Sequence, residues 1–239
     1  MVGKGNVRYT IVTPTICRPS LLRLCRSIDE QTQSDWEHLV VIDMPRNRLA
    51  KNQREVIASI PTKASRSYSY CDRKHNNYGH TCRHHGWEHA TGEYVLYIDD
   101  DDYLADRDVL NTLDTVTDPW AVFPVLRHGN VFLNLPPGLG NTGTGMFIHK
   151  REIGRWPDMD CYGADGAFIE ELKQRHRYQV VNSRPLVIQP KSSCGVSNAE
   201  SWLGDKLAKL QGRYLARNAK SPMNGRKRKE NNVRRDKHV

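Results

Sequence analysis

The sequence predicts an α/β fold: a mostly parallel sheet with helices on both faces, in a single domain. Three observations point there. Short β-branched runs at residues 8–13 (RYTIVT), 38–42 (HLVVI) and 94–98 (YVLYI) read as buried strands. Helical patterns alternate with them, as crossovers between parallel strands require. Each run also ends at a residue unsuited to a core, namely Pro14, Asp43 and Asp99. In open sheets of this kind, ligands bind beyond the carboxyl ends of the strands.

The elements follow in order. Pro14 ends the first strand, and Pro19 stands at a first helical position ahead of an apolar stripe of Leu21, Leu22, Leu24, Cys25 and Ile28. The second strand closes at Asp43 and the Met44-Pro45 break. Residues 52–60 have helical spacing, and 65–71 form a third strand candidate. A helix over 81–90 stops at Thr91-Gly92. The strand at 94–98 then runs directly into Asp99, Asp100, Asp101 and Asp102. Further strands are expected at 120–126, 131–135, 179–181 and 186–188. Residues 136–145 (PPGLGNTGTG) read as a flexible loop. A helix is expected over 164–175 with Phe168, Ile169 and Leu172 inward. Residues 200–217 are amphipathic, with Leu203, Leu207, Leu210 and Tyr214 on one face. Beyond Ser221-Pro222, too little apolar surface remains to offset ordering, so a disordered tail is expected. No internal repeat is visible.

Hydrophobic residues make up 38% of the 239 and charged residues 26%, which excludes a fully disordered chain. No stretch approaches the roughly 18 apolar residues of a membrane span, and the N-terminus turns polar too early for a secretory signal. A soluble, cytoplasmic chain is expected. Charge is uneven: the net is +9, but from Arg213 onward ten Lys/Arg face only Glu230 and Asp236, leaving about +1 for the body. The six cysteines form no CxxC pair and are expected to be reduced thiols. Cys71, His75, His80, Cys82, His84 and His85 fall within fifteen residues. Their spacing is irregular for zinc, so a polar loop leading into a helix is the preferred reading.

Four consecutive aspartates after an apolar strand repel one another, and a helix N-cap needs only one. A divalent cation bound through carboxylate oxygens removes the conflict and commonly bridges phosphates. The plainer alternative is a solvated acidic turn capping the next helix.

The stretch Asn76-Asn77-Tyr78-Gly79, Arg83-His84-His85-Gly86, Ala90-Thr91-Gly92-Glu93-Tyr94 and Asp99-Asp100-Asp101-Asp102-Tyr103-Leu104 resembles the family 2 glycosyltransferases of GT-A fold. Their pattern there is N-x-G, R-N-x-G, A-x-G-E-Y, an apolar strand and D-x-D-D. Upstream, residues 10–14, Arg18-Pro19, Ser27, Gln31-Thr32, Trp36-Glu37 and residues 40–43 match the family's opening. The agreement runs over about residues 9–104 and more loosely to about 175.

The resemblance implies a Rossmann-like GT-A domain over residues 7–212. Residues 7–104 would form the nucleotide and metal half, 105–212 the acceptor half, and 213–239 a basic flexible tail. It implies transfer of a sugar, with inversion, from a nucleotide-sugar donor (a UDP-sugar) to an acceptor hydroxyl, assisted by Mn²⁺ or Mg²⁺. Pro14, Thr15 and Arg18 would surround the nucleotide, Asp43 would accept the base N3–H, and Arg83 would approach base or pyrophosphate. Asp101 would bind the metal with Asp99, while Asp99 or Asp100 faces the ribose. Asp165 takes the position of the general base, with Ala164 replacing the family's preceding Glu. The same carboxylate also suits a helix cap, and Asp158 and Asp160 are substitutes for the base. The late histidine that many relatives give the metal is missing, with Cys194 or a serine of residues 191–197 in that region. His149 follows a loop where relatives place acceptor-side residues; a surface position is expected, with acceptor binding as the alternative. Trp156, Trp202 and Tyr162 are expected to pack or to stack on a sugar.

A surface glycan or glycolipid is the expected acceptor. The alternative is a hydroxylated DNA base, with the basic tail on the DNA. The helix at 200–217 and the tail suit contact with anionic membrane or with DNA, or simple solvation. Two further classes are a non-catalytic nucleic-acid-binding protein and a nucleotidyltransferase. The second lacks its glycine-rich phosphate loop, since Thr15-Ile16-Cys17-Arg18 follow Pro14.

Overall fold

A computed structural model gives the fold, and the structure describes residues 7–157, 159 and 163–190. Elements run in the order β1 (Tyr9–Thr15), α1 (Leu21–Asp29), β2 (Trp36–Ile42), α2 (Lys51–Ala58), β3 (Arg66–Tyr70), α3 (His80–His89) and β4 (Tyr94–Tyr97). There follow β5 (Tyr103–Leu104), α4 (Val109–Leu113), β6 (Trp120–Val122), β7 (Val125–Arg127), β8 (Asn130–Phe132), β9 (Phe147–Lys150), α5 (Ala164–Arg175), β10 (Tyr178–Val180) and β11 (Val187–Gln189). A seven-stranded sheet has the order β10-β6-β9-β4-β1-β2-β3, and a four-stranded sheet the order β5-β11-β7-β8. In the larger sheet every pairing is parallel except the two made by β9.

Alternation along β1 sorts the core onto two faces. Tyr9 and Ile11 pack in one cluster with Leu21, Leu24, Cys25 and Ile28 of α1 and with Val109, Leu110 and Leu113 of α4. Val12 packs in the other with Val95, Tyr97, and Phe168, Ile169 and Leu172 of α5, with Trp87 of α3 alongside. Helices therefore cover both faces, as expected. The apolar stripe of α1 is buried except for Leu22, which is only partly covered.

Several expectations change. The first strand does not stop at Pro14 but runs through it to Thr15. The Ile98 N–H donates to the Val12 carbonyl and the Asp43 N–H to that of Thr15, so alternate residues address β4 and β2. Pro14, in step with Val12, turns its donorless nitrogen toward β4 just past the end of their ladder, whose last pair is Val12 with Tyr97. The run at 120–126 is not one strand. It breaks at Phe123-Pro124 into β6 and β7, which lie in different sheets. The strand expected at 131–135 is instead Asn130–Phe132, with Val131 and Leu135 exposed.

β9 was not expected, because His149 interrupts its apolar pattern. That histidine is not at the surface but fully buried, paired through Nε2 with the Tyr97 hydroxyl (3.2 Å) and through Nδ1 with the Lys150 carbonyl (2.8 Å). Among the described residues no helix is long and apolar enough to cross a membrane. The expected helix at 200–217 and the tail lie outside the described residues.

Candidate active site

The loop after β1 is built onto the acidic run. The Thr15 hydroxyl donates to Asp100 Oδ2 at 2.5 Å and accepts the Cys17 N–H at 2.8 Å. Arg18 donates from Nε to Asp100 Oδ1 (2.9 Å), pairs with it again through Nη2, and reaches Asp101 Oδ2 from Nη1 (3.1 Å). Asp100 is only 1% exposed, whereas the side chains of Asp99 and Asp101 are 35% and 28% exposed. Burial pushes the Asp100 carboxyl up, and Arg18 and Thr15 pull it back down. Asp100 is thus turned inward as the anchor of the first loop. Asp99 and Asp101 are the members of the run with open oxygens.

Two glycines let α3 approach β1. A Cβ on Gly79, whose φ is +78°, would lie 2.7 Å from Pro14 Cβ, and one on Gly86 would lie 2.3 Å from Val12 Cγ1. This approach carries Arg83 under the site. Its Nη2 pairs with Asp99, its Nη1 donates to the Tyr78 carbonyl (2.7 Å), and its guanidinium carbon lies 5.1 Å from the Trp156 ring centroid. Arg83 Nε is buried and has no hydrogen-bond partner among the described residues, which marks a donor left for something else. Trp156 is fully buried, with its indole N–H on His80 Nδ1 (3.3 Å), so it is a packing residue and not a sugar platform. Tyr162, Trp202, Asp158, Asp160 and Cys194 lie outside the described residues.

At the end of β2, Asp43 accepts the backbone N–H of His75 (2.9 Å, Oδ1) and of Asn76 (3.0 Å, Oδ2). A carboxylate has about four lone-pair directions, so each oxygen keeps one free. Cys17, Asn76 and Tyr78 all have positive φ. Such strain in non-glycine residues gathers at functional loops, and these three lie in the two loops that border the strand ends, while a fourth, His128, lies in the β7–β8 turn.

Asp165 opens α5 behind Gly163. It is half-buried and accepts the N–H groups of Gly166 (2.8 Å) and Thr144 (3.2 Å). Burial pushes its carboxyl up, and the charges of Arg83 and Asp99 both act on it, so it faces the same region. Ala164, at the place of the family's Glu, is fully buried, where a carboxylate would be costly.

Sequence reasoning missed the group that joins the two halves. Gln189 Nε2 donates to Asp102 Oδ2 (2.9 Å) and to the Thr144 carbonyl (3.1 Å), and its Oε1 accepts from Arg127 Nε (2.8 Å). Asp102 is buried, which pushes its carboxyl up to about 8, with the Asp99 charge adding to the effect. The acidic run was an available signal for Asp102. Nothing local distinguishes Gln189 or Arg127.

The open oxygens of Asp99 and Asp101, crowded by two further carboxyls, form an all-oxygen donor set suited to a hard divalent cation. Of the six clustered cysteines and histidines, only three gather. Cys71 Sγ lies 3.6 Å from Cys82 Sγ, and Cys71 and His75 meet Asp43. His80 packs against Trp156, His84 reaches the Trp156 carbonyl, and His85 packs against His89.

A family model described as glycosyl transferase family 2 matches residues 10–174. Among solved structures, residues 1–349 of TarS from S. aureus in complex with UDP-GlcNAc align with a TM-score of 0.63 at 16% identity. That match covers 78% of this chain and 59% of the other. A second crystal structure of the same TarS region gives a TM-score of 0.60 at 16% identity, covering 77% and 60%. The mannosyltransferase PcManGT from Pyrobaculum calidifontis, in complex with GDP-Man and Mn²⁺, gives 0.59 at 18% identity, covering 80% and 59%. The chain thus spans about 60% of the length of these structures. No curated protein matches the sequence.

Proposed function

The chain belongs to glycosyl transferase family 2, and on that premise we propose that it transfers a sugar from a nucleotide-sugar donor, a UDP-sugar, to an acceptor hydroxyl with inversion. The observation that carries the reading is that Asp43 follows β2 and the acidic run follows β4, with Arg83 paired to Asp99 and Asp165 within reach of both charges. Complexes of similar folds with UDP-GlcNAc and GDP-Man support a nucleotide-sugar as donor.

In this reading Asp43 uses a free lone pair to accept the base N3–H. Pro14 and Thr15 floor the nucleotide, and Asp99 faces the ribose. Asp100 holds Arg18 and the first loop in place from below. Arg83, paired with Asp99, sets positive charge beneath the donor diphosphate. Asp101 and Asp99 hold the divalent cation, Mn²⁺ or Mg²⁺, whose chemistry is to neutralise charge developing on the leaving diphosphate. Asp165 takes the acceptor's proton. Its raised affinity for protons brings it closer to the working range of a general base. The acceptor in this reading is a hydroxyl of a surface glycan or glycolipid.

The test is UDP release from labelled UDP-glucose, UDP-galactose and UDP-N-acetylglucosamine in the presence of Mn²⁺. Release with one donor that stops on chelation and in Asp101→Asn is expected. No release from any donor, under conditions where the protein is folded, counts against the reading.

A further inference from the structure

A carboxylate, a thiol and an imidazole meet beside the candidate base pocket, outside the acidic run, and a second thiol adjoins the first. An Asp43 carboxylate oxygen, Cys71 Sγ and a ring nitrogen of His75 all lie within 4.8 Å of one another. Cys82 adds a second sulfur 3.6 Å from that of Cys71. Two sulfurs on one tetrahedral zinc ion, each about 2.3 Å from it, stand roughly 3.8 Å apart. The thiol pair is therefore already spaced like an edge of that tetrahedron. The donors come from the end of β2, the end of β3, the following loop and the first turn of α3, so the fold holds them from several sides.

We propose that Asp43, Cys71, His75 and Cys82 bind a thiophilic divalent cation, Zn²⁺ in the first instance, in a site distinct from the one at Asp99 and Asp101. The surroundings match such a site. His75 Nε2 lies 3.1 Å from Asp72 Oδ1, the carboxylate–imidazole pairing that orients a ligating histidine and leaves Nδ1 for the ion. Asp43 is fixed by two backbone N–H groups and keeps lone pairs for a metal. Cys71 and Cys82 are buried, whereas the His75 side chain is 16% exposed and gives the ion a way in. Binding replaces the two thiol protons, which leave to solvent, and changes no oxidation state. Thiolates select zinc, while the oxygen-only acidic run selects Mg²⁺ or Mn²⁺, so the two sites separate by metal.

One consequence rests on reading Asp43 as the base contact: the ion and the base N3–H then draw on the same carboxylate, and a cation on it weakens it as a hydrogen-bond acceptor. Zinc then lowers affinity for the nucleotide, and the site acts as a brake on donor binding.

The test uses the reduced full-length chain with Co²⁺ as probe, in excess Mg²⁺. One equivalent should bind with a sulfur-to-cobalt charge-transfer band, displaced by one equivalent of Zn²⁺. The band should vanish in Cys71→Ser and Cys82→Ser and persist in His84→Ala. His75→Ala, on a partly exposed loop, checks the site without touching the core, and Asp72→Asn should weaken binding about 10-fold or more. No charge-transfer band, or one that survives Cys71→Ser, overturns the site. Calorimetry of UDP then tests the brake: zinc should weaken UDP binding more than 10-fold in the wild type and far less in Cys82→Ser. Equal effects in both chains overturn the brake and leave the cobalt result standing. Absence of UDP binding even without zinc would instead fail the donor reading itself.

Discussion

The Arg18 guanidinium pairs with buried Asp100 and, through Nη1, holds Asp101 at 3.1 Å, so one cation serves two of the four clustered carboxyls. The two contacts differ in kind. Asp100 has almost no access to water and depends on Arg18 and Thr15 for its charge. Asp101 is partly exposed and can exchange Arg18 for another cation.

Arg18→Gln is expected to destabilise the protein by about 3 kcal/mol, because it strands a carboxylate in the interior. Adding Asp100→Asn should recover most of the loss, since an amide is cheaper to bury uncharged. Urea denaturation of the two variants and the double variant measures this. Additive losses would mean that the pair is not coupled.

Asp165→Asn separates a base from a cap. As a base, Asp165 is expected to contribute on the order of 10³ in kcat, with UDP affinity unchanged. As a cap alone, it would cost about 1 kcal/mol of stability and leave turnover intact. Steady-state kinetics alongside a denaturation curve distinguishes the two.

His149 makes the fold acid-sensitive. Burial lowers its imidazole from the ordinary value to about 4. Because the folded value is depressed, stability is complete above about pH 6.5 and falls as pH drops from there toward 4, where only the unfolded chain takes the proton. His38, buried between Thr13 and Arg66, acts in the same direction. Between pH 7 and pH 5 the His149 part of the loss is about 2 kcal/mol. Urea midpoints at the two pH values should differ less in His149→Gln than in the wild type.

Gly86→Ala tests the seating of α3 on β1. The added methyl would meet Val12 Cγ1 at 2.3 Å, and neither the strand nor the helix can withdraw freely. A loss of about 2 kcal/mol is expected. Weaker nucleotide binding should accompany it, because α3 carries Arg83. A fully stable variant would show that the helix moves at little cost.

The sheet and the acidic residues at its strand ends were legible because their signals are local. An apolar strand that runs into Pro14, Asp43 or four aspartates announces both the strand and the side on which polar groups gather. What stayed hidden depends on distant pairing. Gln189 lies in a three-residue strand, and its partner Asp102 is 87 residues away. β9 escaped because a neutral buried histidine reads as polar until Tyr97 is seen opposite it. The inward turn of Asp100 could not be told from the outward turn of Asp101, since both belong to one unbroken run of like residues. Trp156 stands beside a loop in sequence yet lies under Arg83 in the core.

Thermal unfolding with UDP, GDP, CDP and TDP, each with and without Mn²⁺, tests the donor site most directly. At about 100 times its dissociation constant, a nucleotide that fits should add about 2.7 kcal/mol of stability. A rise with UDP that requires Mn²⁺ and disappears in Asp101→Asn is expected. No shift with any nucleotide, or an equal shift in Asp101→Asn, would contradict a metal-assisted donor site at the strand ends.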